Sequence, residues 1–445
     1  MTGRATRVLL VLPLLLLQSC GGGDSGNRSP DPPDAPVNVV LIIADDLGFA
    51  DLGVQGSADA LTPHVDSLAA GGARLTDGYV SAPACSPTRA GLMTGRYQQR
   101  FGLELNPPSP SPPEFGLPLE ETTLAAQLQA AGYVTGLVGK WHLGTAPPFH
   151  PMNRGFDEFF GFLGGSHSYR DWDSAEDPVL RGFGAVAGTG YLTDAFSREA
   201  ASFVRRHARE PFFLCLSYSA VHRPMEKPPR RYMDRFPGVT DPLRRKYLAM
   251  LAAMDDGVGR VLDEIHAAGL DERTLIVFLS DNGGPSTLNG SRNTPLRGGK
   301  EDVYEGGIRV PFIVRWSGRV PSGIEYRKPV IQLDIFPTVL AAAGVGAPAD
   351  VETDGVDLLP FLDGSNAASP HAALFWRYGG PSAVRQGDWK LVNDAAGNAQ
   401  LFDLASDAGE ETDLAPARPE IVSELETELA EWQAGLMPPP ASATH

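Results

Sequence analysis

The chain has 445 residues, of which 42% are hydrophobic, and a formal net charge of −17. This length is enough for one large α/β core or for two domains. The acidic balance argues against nucleic acid as a partner, because phosphates are bound mainly by lysine and arginine.

The N-terminus has the pattern of an export signal. Two arginines, Arg4 and Arg7, precede an apolar stretch (8–17) that is too short to span a bilayer. The next residues, Leu-Gln-Ser-Cys, resemble a bacterial lipobox, so we expect 1–20 to be a lipoprotein signal and Cys20 to carry the lipid. The alternative is an ordinary cleaved signal peptide with a coincidental cysteine. We therefore predict an exported lipoprotein, in the outer membrane or facing the periplasm, that meets the membrane only through Cys20, with 21–36 as a flexible linker.

The apolar runs and the helical patterns alternate along the chain. Buried strands are predicted at 37–44, 133–139, 211–219, 274–280 and 310–316, and helices at 65–72, 122–132, 197–210 and 243–269. This alternation favours a parallel, doubly wound sheet. After residue 365 the pattern changes to short antiparallel strands at 373–380, 383–394 and 399–406, and then to a closing amphipathic helix at 419–436. We therefore predict a main domain at 37–364 and a C-terminal subdomain at 365–445.

Polar motifs follow four of the predicted strands. They are Asp45-Asp46, Lys140-Trp141-His142, the stretch that contains His222, and Asp281-Asn282. Ligands of open parallel sheets bind beyond the carboxyl ends of the strands. The sequence therefore predicts that these motifs meet in one cleft.

The acidic members of this set have the chemistry of a metal site. Asp45, Asp46, Asp281 and Asn282 offer oxygen atoms, which suit Ca²⁺ or Mg²⁺ better than Zn²⁺. The alternative for either pair alone is an ordinary loop, because Asp-Asp caps helices and Asn-Gly forms turns.

A cysteine lies where a helix is predicted to begin. Pro87 fits the first turn of a helix, so Cys85 lies near an N-terminus that favours an anion, with Arg89 one turn later. Two alternatives remain for the thiols. Cys85 forms a disulfide with Cys215, or Cys215 is a small buried residue of its apolar strand.

The stretch CSPTRAGLMTGR (85–96) resembles the signature of the type I, formylglycine-dependent sulfatases. The same resemblance extends in order through GYVTGLVGKWHLG, VHRP, SDNGG and RGGKEDVYEGGIRVPFIVRW, and so covers most of the chain. Two small departures are Thr88, where serine is commoner, and Met93, where leucine is commoner. The resemblance implies the alkaline-phosphatase-like α/β fold: a large mixed, mostly parallel sheet between helices, with a smaller C-terminal α+β subdomain of antiparallel strands and a closing helix.

The family resemblance also implies a chemistry for the site. A formylglycine-generating maturation enzyme would oxidise Cys85 to an aldehyde, whose hydrate attacks the sulfur of a sulfate ester and forms a covalent sulfo-enzyme. The implied roles are activation by Arg89, sulfate binding by Lys140 and Lys300, base catalysis by His142, and protonation of the leaving oxygen by His222 or Lys300. The implied metal is Ca²⁺, bound by Asp45, Asp46, Asp281, Asn282 and an oxygen of the modified Cys85.

The substrate is less constrained by the sequence. His167, Tyr169 and Arg170, within 161–172, are candidates for contact with a sugar, and the alternative is a loop that packs on itself. The export signal and the similarity to glycan sulfatases and arylsulfatases favour a sulfated carbohydrate, or an aryl sulfate, as substrate. Two other functions remain open: a phosphonate or phosphate-ester hydrolase with the same nucleophile, and an inactive binding lipoprotein.

Overall fold

The first strand is buried at every position and divides its side chains between two hydrophobic clusters. In the computed structural model, which describes residues 1–3, 36–346 and 352–439, Val40 and Ile42 face one cluster, and Val39 and Leu41 face the other. Successive side chains of a strand point to opposite faces of the sheet. A strand with apolar side chains buried on both faces therefore requires helices on both sides of the sheet.

The described residues form two principal sheets surrounded by helices. The strands are β1 (Asn38–Ala44), β2 (Ala73–Leu75), β3 (Gly78–Tyr79), β4 (Val134–Lys140), β5 (Glu158–Phe162), β6 (Leu180–Arg181), β7 (Gly184–Ala185), β8 (Phe212–Ser217), β9 (Thr274–Ser280), β10 (Phe312–Arg315), β11 (Ile324–Tyr326), β12 (Val330–Ile331), β13 (Ala373–Arg377), β14 (Ser382–Gln386), β15 (Trp389–Asn393) and β16 (Ala399–Asp403). The helices are α1 (Pro63–Ala70), α2 (Cys85–Thr94), α3 (Leu124–Ala130), α4 (Leu192–Arg206), α5 (Arg230–Met233), α6 (Pro242–Ala267), α7 (Ser286–Asn289), α8 (Glu305–Ile308), α9 (Ile335–Ala343), α10 (Leu359–Leu362) and α11 (Pro419–Ala434).

The large sheet has the strand order β11-β2-β10-β9-β1-β8-β4-β5-β6-β7. Its central strands β9, β1, β8, β4 and β5 are parallel, which confirms the predicted fold class. The sheet is mixed, as the family resemblance implies, because β10, which corresponds to the fifth predicted strand, runs antiparallel to β9. The connection 281–311 contains only the short helices α7 and α8 and returns along the same edge, whereas a parallel strand needs a crossover.

The second sheet is the antiparallel meander β13-β14-β15-β16 near the C-terminus. One of its faces packs against α11 through Val384, Leu391, Leu425 and other apolar side chains. On the other side the buried Trp376 donates a hydrogen bond from Nε1 to the carbonyl of Val80 at 2.7 Å. The C-terminal elements are thus joined to the main sheet through a shared core.

Most of the predicted signal at 1–20 lies outside the described residues, and so does Cys20, the predicted site of the lipid. The predicted linker at 21–36 lies outside them except for its last residue. Within the described ranges, no helix has both the length and the apolar character needed to cross a membrane. The predicted domain limits at 37–364 and 365–445 stay a prediction.

Candidate functional site

The polar motifs that follow the parallel strands lie at one edge of the large sheet. Asp45 and Asp46 follow β1 directly, Lys140 is the last residue of β4, and Asp281 follows β9. All four side chains are buried. The strand order brings them together as the sequence predicts, because β9, β1, β8 and β4 are consecutive neighbours in the sheet.

Cys85 is the first residue of α2 and points into this group. Its Sγ lies 3.2 Å from Nζ of Lys300 and 3.5 Å from Oδ1 of Asp45. Burial raises the pKa of the Cys85 thiol, and the Asp281 carboxylate raises it further. Cys85 and Cys215 are both free and buried, so the alternative of a disulfide between them is not found.

Arg89 lies one helical turn beyond Cys85 and organises the base of the site. Its Nε and Nη2 donate to Oδ2 of Asp281 at 2.9 and 2.8 Å. Its Nη1 donates to Oγ of Ser217 at 2.6 Å and to the carbonyl of Lys140 at 3.2 Å. Arg89 therefore connects α2 to the ends of β4, β8 and β9 and fixes the orientation of the Asp281 carboxylate.

Two lysines pair with the two adjacent aspartates. Nζ of Lys140 donates to Oδ2 of Asp45 at 2.7 Å, and Nζ of Lys300 donates to Oδ1 of Asp46 at 2.8 Å. Burial alone would raise the pKa of Asp45, but the Lys140 ammonium and other nearby cations hold it well below its usual value. Burial would lower the pKa of Lys300, but Asp46 holds it well above the usual value. Lys300 is thus a charged donor at neutral pH.

Two histidines complete the site. Burial, with the nearby Lys140 and Arg89 charges, lowers the pKa of His142 well below its usual value, and Nδ1 of this ring has no hydrogen-bond partner. Burial also lowers the pKa of His222, although Asp45 opposes the shift. Nδ1 of His222 donates to the carbonyl of Arg223 at 2.6 Å, and Nε2 lies 3.6 Å from Oδ2 of Asp46. Both rings are therefore neutral at pH 7 and have a nitrogen free to accept a proton.

The donor set fits a hard cation. Ligand atoms of Asp45, Asp46, Cys85 and His222 all lie within 4.8 Å of one another. Asn282 is fully buried, its Nδ2 donates to Asp46 at 2.7 Å, and its Oδ1 has no hydrogen-bond partner. An unpartnered buried carbonyl oxygen beside carboxylates is the environment that Ca²⁺ prefers. Asp45, Asp46 and Cys85 of this cluster are ligands that the resemblance implies, whereas His222 is an additional member.

A second cluster of possible ligands, His64, Asp255 and Asp256, has a structural explanation. The Asp255 carboxylate accepts the backbone N–H groups of His64 and Val65 in the first turn of α1, at 2.8 to 3.2 Å. Asp256 forms an ion pair with Arg235. These bonds join α6 to α1 and to the segment after α5.

The three predicted sugar-contacting residues lie in different environments. His167 is buried, its ring packs beside Phe162, and its Nδ1 donates to the carbonyl of Ser168. Tyr169 is buried, and its hydroxyl lies 2.6 Å from the carbonyl of Ser219 and 2.9 Å from that of His222. Arg170 is exposed. Arg170 alone of the three is open to a large substrate, and Tyr169 supports the loop that carries His222.

Three further residues that sequence reasoning did not single out also contact or surround the site. Ser217 accepts from Arg89 and donates to the carbonyl of Lys140 at 2.6 Å. The buried Asn289 donates to the carbonyl of Asp46 at 3.1 Å. Burial raises the pKa of Tyr378, from the C-terminal part, and the charges of Glu301 and Cys85 raise it further. The sequence offered a signal for Ser217, which is a polar residue at the end of an apolar strand. No sequence pattern marked Asn289 or Tyr378.

Comparison with known proteins identifies similar chains over nearly the whole length. A family model described as Sulfatase matches residues 37–345, and one described as N-sulphoglucosamine sulphohydrolase, C-terminal, matches 299–435. The chain is 34% identical over 405 residues to N-acetylgalactosamine-6-sulfatase of Canis lupus familiaris, covering 85% of this chain and 74% of that protein. It is 35% identical over 451 residues to arylsulfatase A of Homo sapiens, covering 88% and 86%. The solved structure of Ps i-CgsB in complex with k-i-k-neocarrahexaose has a TM-score of 0.86 at 35% identity, covering 91% of this chain and 94% of that one.

Proposed function

This chain belongs to the sulfatase family of sulfuric ester hydrolases, and from that premise we propose that it removes sulfate from a carbohydrate through a formylglycine formed at Cys85. The observation that supports the proposal most directly is the position of Cys85. It begins α2, its Sγ lies within 3.5 Å of both Lys300 and Asp45, and Arg89 follows one turn later. A single side chain thus faces cations, carboxylates and histidines at once.

Two groups supplied after synthesis complete this chemistry. Formylglycine at Cys85 would supply a geminal diol, one hydroxyl of which is the nucleophile toward sulfur while the other later loses a proton to release sulfate. Ca²⁺ held by Asp45, Asp46, Asp281 and Asn282 would supply positive charge beside the sulfate oxygens. The unpartnered Oδ1 of Asn282 supports the assignment of that residue to the cation.

The protein's own side chains divide the remaining work. Lys140 and Lys300 donate hydrogen bonds to the sulfate as negative charge develops on its oxygens. His142, kept neutral by burial, accepts the proton at residue 85 when sulfate is expelled. His222, whose Nδ1 is engaged with the carbonyl of Arg223, gives or takes a proton only through Nε2, and we assign it or Lys300 to the leaving oxygen.

A sulfated carbohydrate is the substrate class that the relatives favour. N-acetylgalactosamine-6-sulfatase is 34% identical to this chain, and the similar Ps i-CgsB structure holds a saccharide, k-i-k-neocarrahexaose. Arylsulfatase A, at a similar identity, makes aryl sulfates the natural probes of the same chemistry.

The first experiment is mass spectrometry of the tryptic peptide Leu75–Arg89 from protein made together with a formylglycine-generating enzyme. Conversion replaces the sulfur of Cys85 by oxygen and removes two hydrogens, so the two forms are distinguishable in one spectrum. We expect the aldehyde form. An intact thiol in a preparation with full activity would overturn the proposed mechanism.

The second experiment compares the products released from three kinds of ester. We expect sulfate release from sulfated oligosaccharides and from 4-nitrophenyl sulfate, and loss of both activities in Cys85→Ala. Sulfate release from the aryl ester alone would rule out a carbohydrate substrate. Faster release of phosphate from 4-nitrophenyl phosphate than of sulfate from 4-nitrophenyl sulfate would indicate a phosphate-ester hydrolase. Binding of sulfated saccharides without turnover by fully converted protein would indicate an inactive binding protein.

We also propose that the protein is exported and held at a membrane by a lipid on Cys20, which the lipobox-like Leu-Gln-Ser-Cys supports. In a bacterial host, Cys20→Ala is expected to move the protein from the membrane fraction to the soluble fraction. Equal distribution of both forms would contradict the lipid anchor and leave the sulfatase chemistry unaffected.

A further inference from the structure

Two loops that lie beside His142 and His222 carry three exposed cations, although the chain as a whole is strongly acidic. Arg170 lies in the loop after β5, and Arg223 and Lys227 lie in the loop after β8. We propose that these three residues, here termed the basic ridge, form a second anion subsite for another sulfate or carboxylate on the same saccharide. The proposal rests on the proposed saccharide substrate and extends it to a multiply charged one.

The ridge begins at the residues that perform the chemistry. The carbonyl of Arg223 accepts the Nδ1 proton of His222, whose Nε2 lies 3.6 Å from Asp46. The loop after β5 packs closely against His142 at Gly165. A Cβ on Gly165 would lie only 2.4 Å from Nε2 of the His142 ring. Both loops therefore begin beside histidines of the site that a saccharide approaches when its sulfate reaches residue 85.

Hydrogen bonds hold the two loops against each other. Oγ of Ser166 donates to the carbonyl of Arg223 at 3.0 Å, and the Arg170 guanidinium donates to the carbonyl of Lys227 at 2.8 Å. The buried hydroxyl of Tyr169 bonds the carbonyls of Ser219 and His222 beneath them. The cations are thus carried by backbone that is already fixed, which reduces the entropy lost when an anion binds.

Within the described part of the chain, none of the three ridge cations forms an ion pair with a carboxylate. Glu226 lies in the same loop, and no ion pair joins it to any of them. The next arginines along the chain behave differently, because Arg230, Arg231 and Arg235 pair with Asp234, Asp194 and Asp256 respectively. Exposed cations that are not neutralised by a carboxylate attract anions, and their effect is greatest on a ligand with several charges.

The test measures binding rather than turnover, so it can be read whether or not sulfate is released. Sucrose octasulfate, a small saccharide with many sulfates, is titrated into the folded wild type, Arg223→Gln/Lys227→Gln, and the control Arg230→Gln by calorimetry. The control removes another exposed arginine, one that already has a carboxylate partner. Inorganic sulfate is the second probe, because it has a single anionic group.

We expect the double variant to bind sucrose octasulfate roughly three- to tenfold more weakly than the wild type, with a smaller change for inorganic sulfate. Arg230→Gln is expected to bind both probes as the wild type does, and Arg223→Lys to retain most of the affinity because it keeps the charge. Equal affinities of the double variant and the wild type would overturn the proposal, as would equal weakening by Arg230→Gln. Failure of the proposed function would instead appear as absent sulfate release with this binding pattern intact.

Discussion

Asn289 holds two pieces of backbone that carry site residues. Its Nδ2 donates to the carbonyl of Asp46 at 3.1 Å and to that of Val221 at 3.3 Å, and its Oδ1 accepts the N–H of Ser291. These bonds fix the backbone of Asp46 relative to that of His222, which follows Val221. Asn289 acts through its neighbours, and we regard it as a positioning residue.

Replacing Asn289 by aspartate should lower kcat far more than it changes KM. The shape is kept, but two donated hydrogen bonds become contacts between a carboxylate and carbonyl oxygens. We expect kcat to fall about 10- to 100-fold, as for other residues that orient site ligands. Steady-state rates with 4-nitrophenyl sulfate give the two constants.

Asn398→Asp is the matched control, because Asn398 is an exposed asparagine in the turn between β15 and β16, and its Nδ2 donates to Asp394. It should leave both constants unchanged. A proportional loss of kcat and of thermal stability in Asn289→Asp, or an effect on KM alone, would assign Asn289 a purely structural or a binding role.

Calcium should stabilise the folded protein through Asn282. A ligand that binds only the folded state raises the free energy of unfolding and hence Tm. We expect CaCl₂ to raise the Tm of the wild type by several degrees, and to raise that of Asn282→Ala by clearly less, because the unpartnered Oδ1 is removed. Differential scanning fluorimetry with a calcium series measures both shifts without any turnover.

Asp256→Asn serves as the control for this experiment, since it alters the second cluster of possible ligands. Its calcium shift should equal that of the wild type. If CaCl₂ raised the Tm of Asn282→Ala as much as that of the wild type, Asn282 would not be a ligand of the cation. If the rise in Tm were lost in Asp256→Asn, the cation would be assigned to the second cluster.

At the scale of elements, α6 is joined to α1 by a buried carboxylate. Asp255 accepts the N–H groups of His64 and Val65, and burial raises its pKa to about 6, despite those two hydrogen bonds. The unfolded value is 3.8, so the folded state binds more protons between pH 4 and pH 6. Stability contributed by this group is therefore lost as pH rises through that window.

The difference in unfolding free energy between the wild type and Asp255→Asn should follow that titration. From pH 4 to pH 6 we expect the wild type to lose on the order of 1–3 kcal/mol relative to the variant, which cannot titrate at this position. Urea unfolding at several pH values, with the exposed Asp363→Asn as control, provides the measurement. A difference that is constant with pH, or that grows in favour of the wild type, would contradict the raised pKa.

The strands of the sheet were predictable to the extent that their apolar runs were uninterrupted. The prediction 274–280 coincides with β9, and 37–44 exceeds β1 by one residue. In contrast, β5 was missed, because Gly161 interrupts its aromatic run. That glycine is needed where β5 meets β4, since a Cβ there would lie 1.8 Å from the carbonyl oxygen of Gly139.

The helix α4 and the short strands show a second limit. The predicted start at residue 197 is five residues later than the observed Leu192, although Leu192, Ala195 and Phe196 are apolar and buried on the same helix. Strands β2 and β11 have three residues each and are formed by pairing with neighbours, which no local pattern indicates.

The site residues were predictable for a related reason. Asp45, Lys140 and Asp281 follow or end strands that the sequence marks clearly, and the topology of a parallel sheet brings strand ends together. Asn289 and Tyr378 reach the site from the connection after β9 and from the C-terminal sheet, and such long-range contacts leave no periodic signal in the sequence.

At the scale of the whole molecule, the C-terminal sheet is joined to the main part of the chain by buried charges. Nζ of Lys390, on β15, lies 3.0 Å from Glu305 of α8 and 2.8 Å from Glu410. All three side chains are fully buried. The carbonyl of Glu410 also accepts from Arg297, three residues before Lys300. The C-terminal elements thus support the loop from which Lys300 reaches Cys85.

Lys390→Met should therefore destabilise the protein and do so in a pH-dependent way. Burial would raise the pKa of Glu305, but Lys390 and nearby arginines lower it to about 2, whereas burial raises the pKa of Glu410. Without the ammonium, two buried carboxylates face each other, which costs about 3–5 kcal/mol. Their pKa values rise in the folded variant, so its stability falls as pH rises, and the deficit should be larger at pH 7 than at pH 5.

Removing one of the facing carboxylates tests whether charge is the cause. In Lys390→Met/Glu410→Gln, one source of repulsion is absent, so we expect part of the lost stability to return and the extra deficit at pH 7 to shrink. Urea unfolding of the single and double variants at both pH values measures the coupling, and sulfate release reports whether the Lys300 loop is affected. The Lys390 ammonium also lies 5.9 Å from the ring centroid of Trp376. A loss of stability that is independent of pH and additive in the double variant would therefore indicate lost packing around Trp376 and not loss of the charge network.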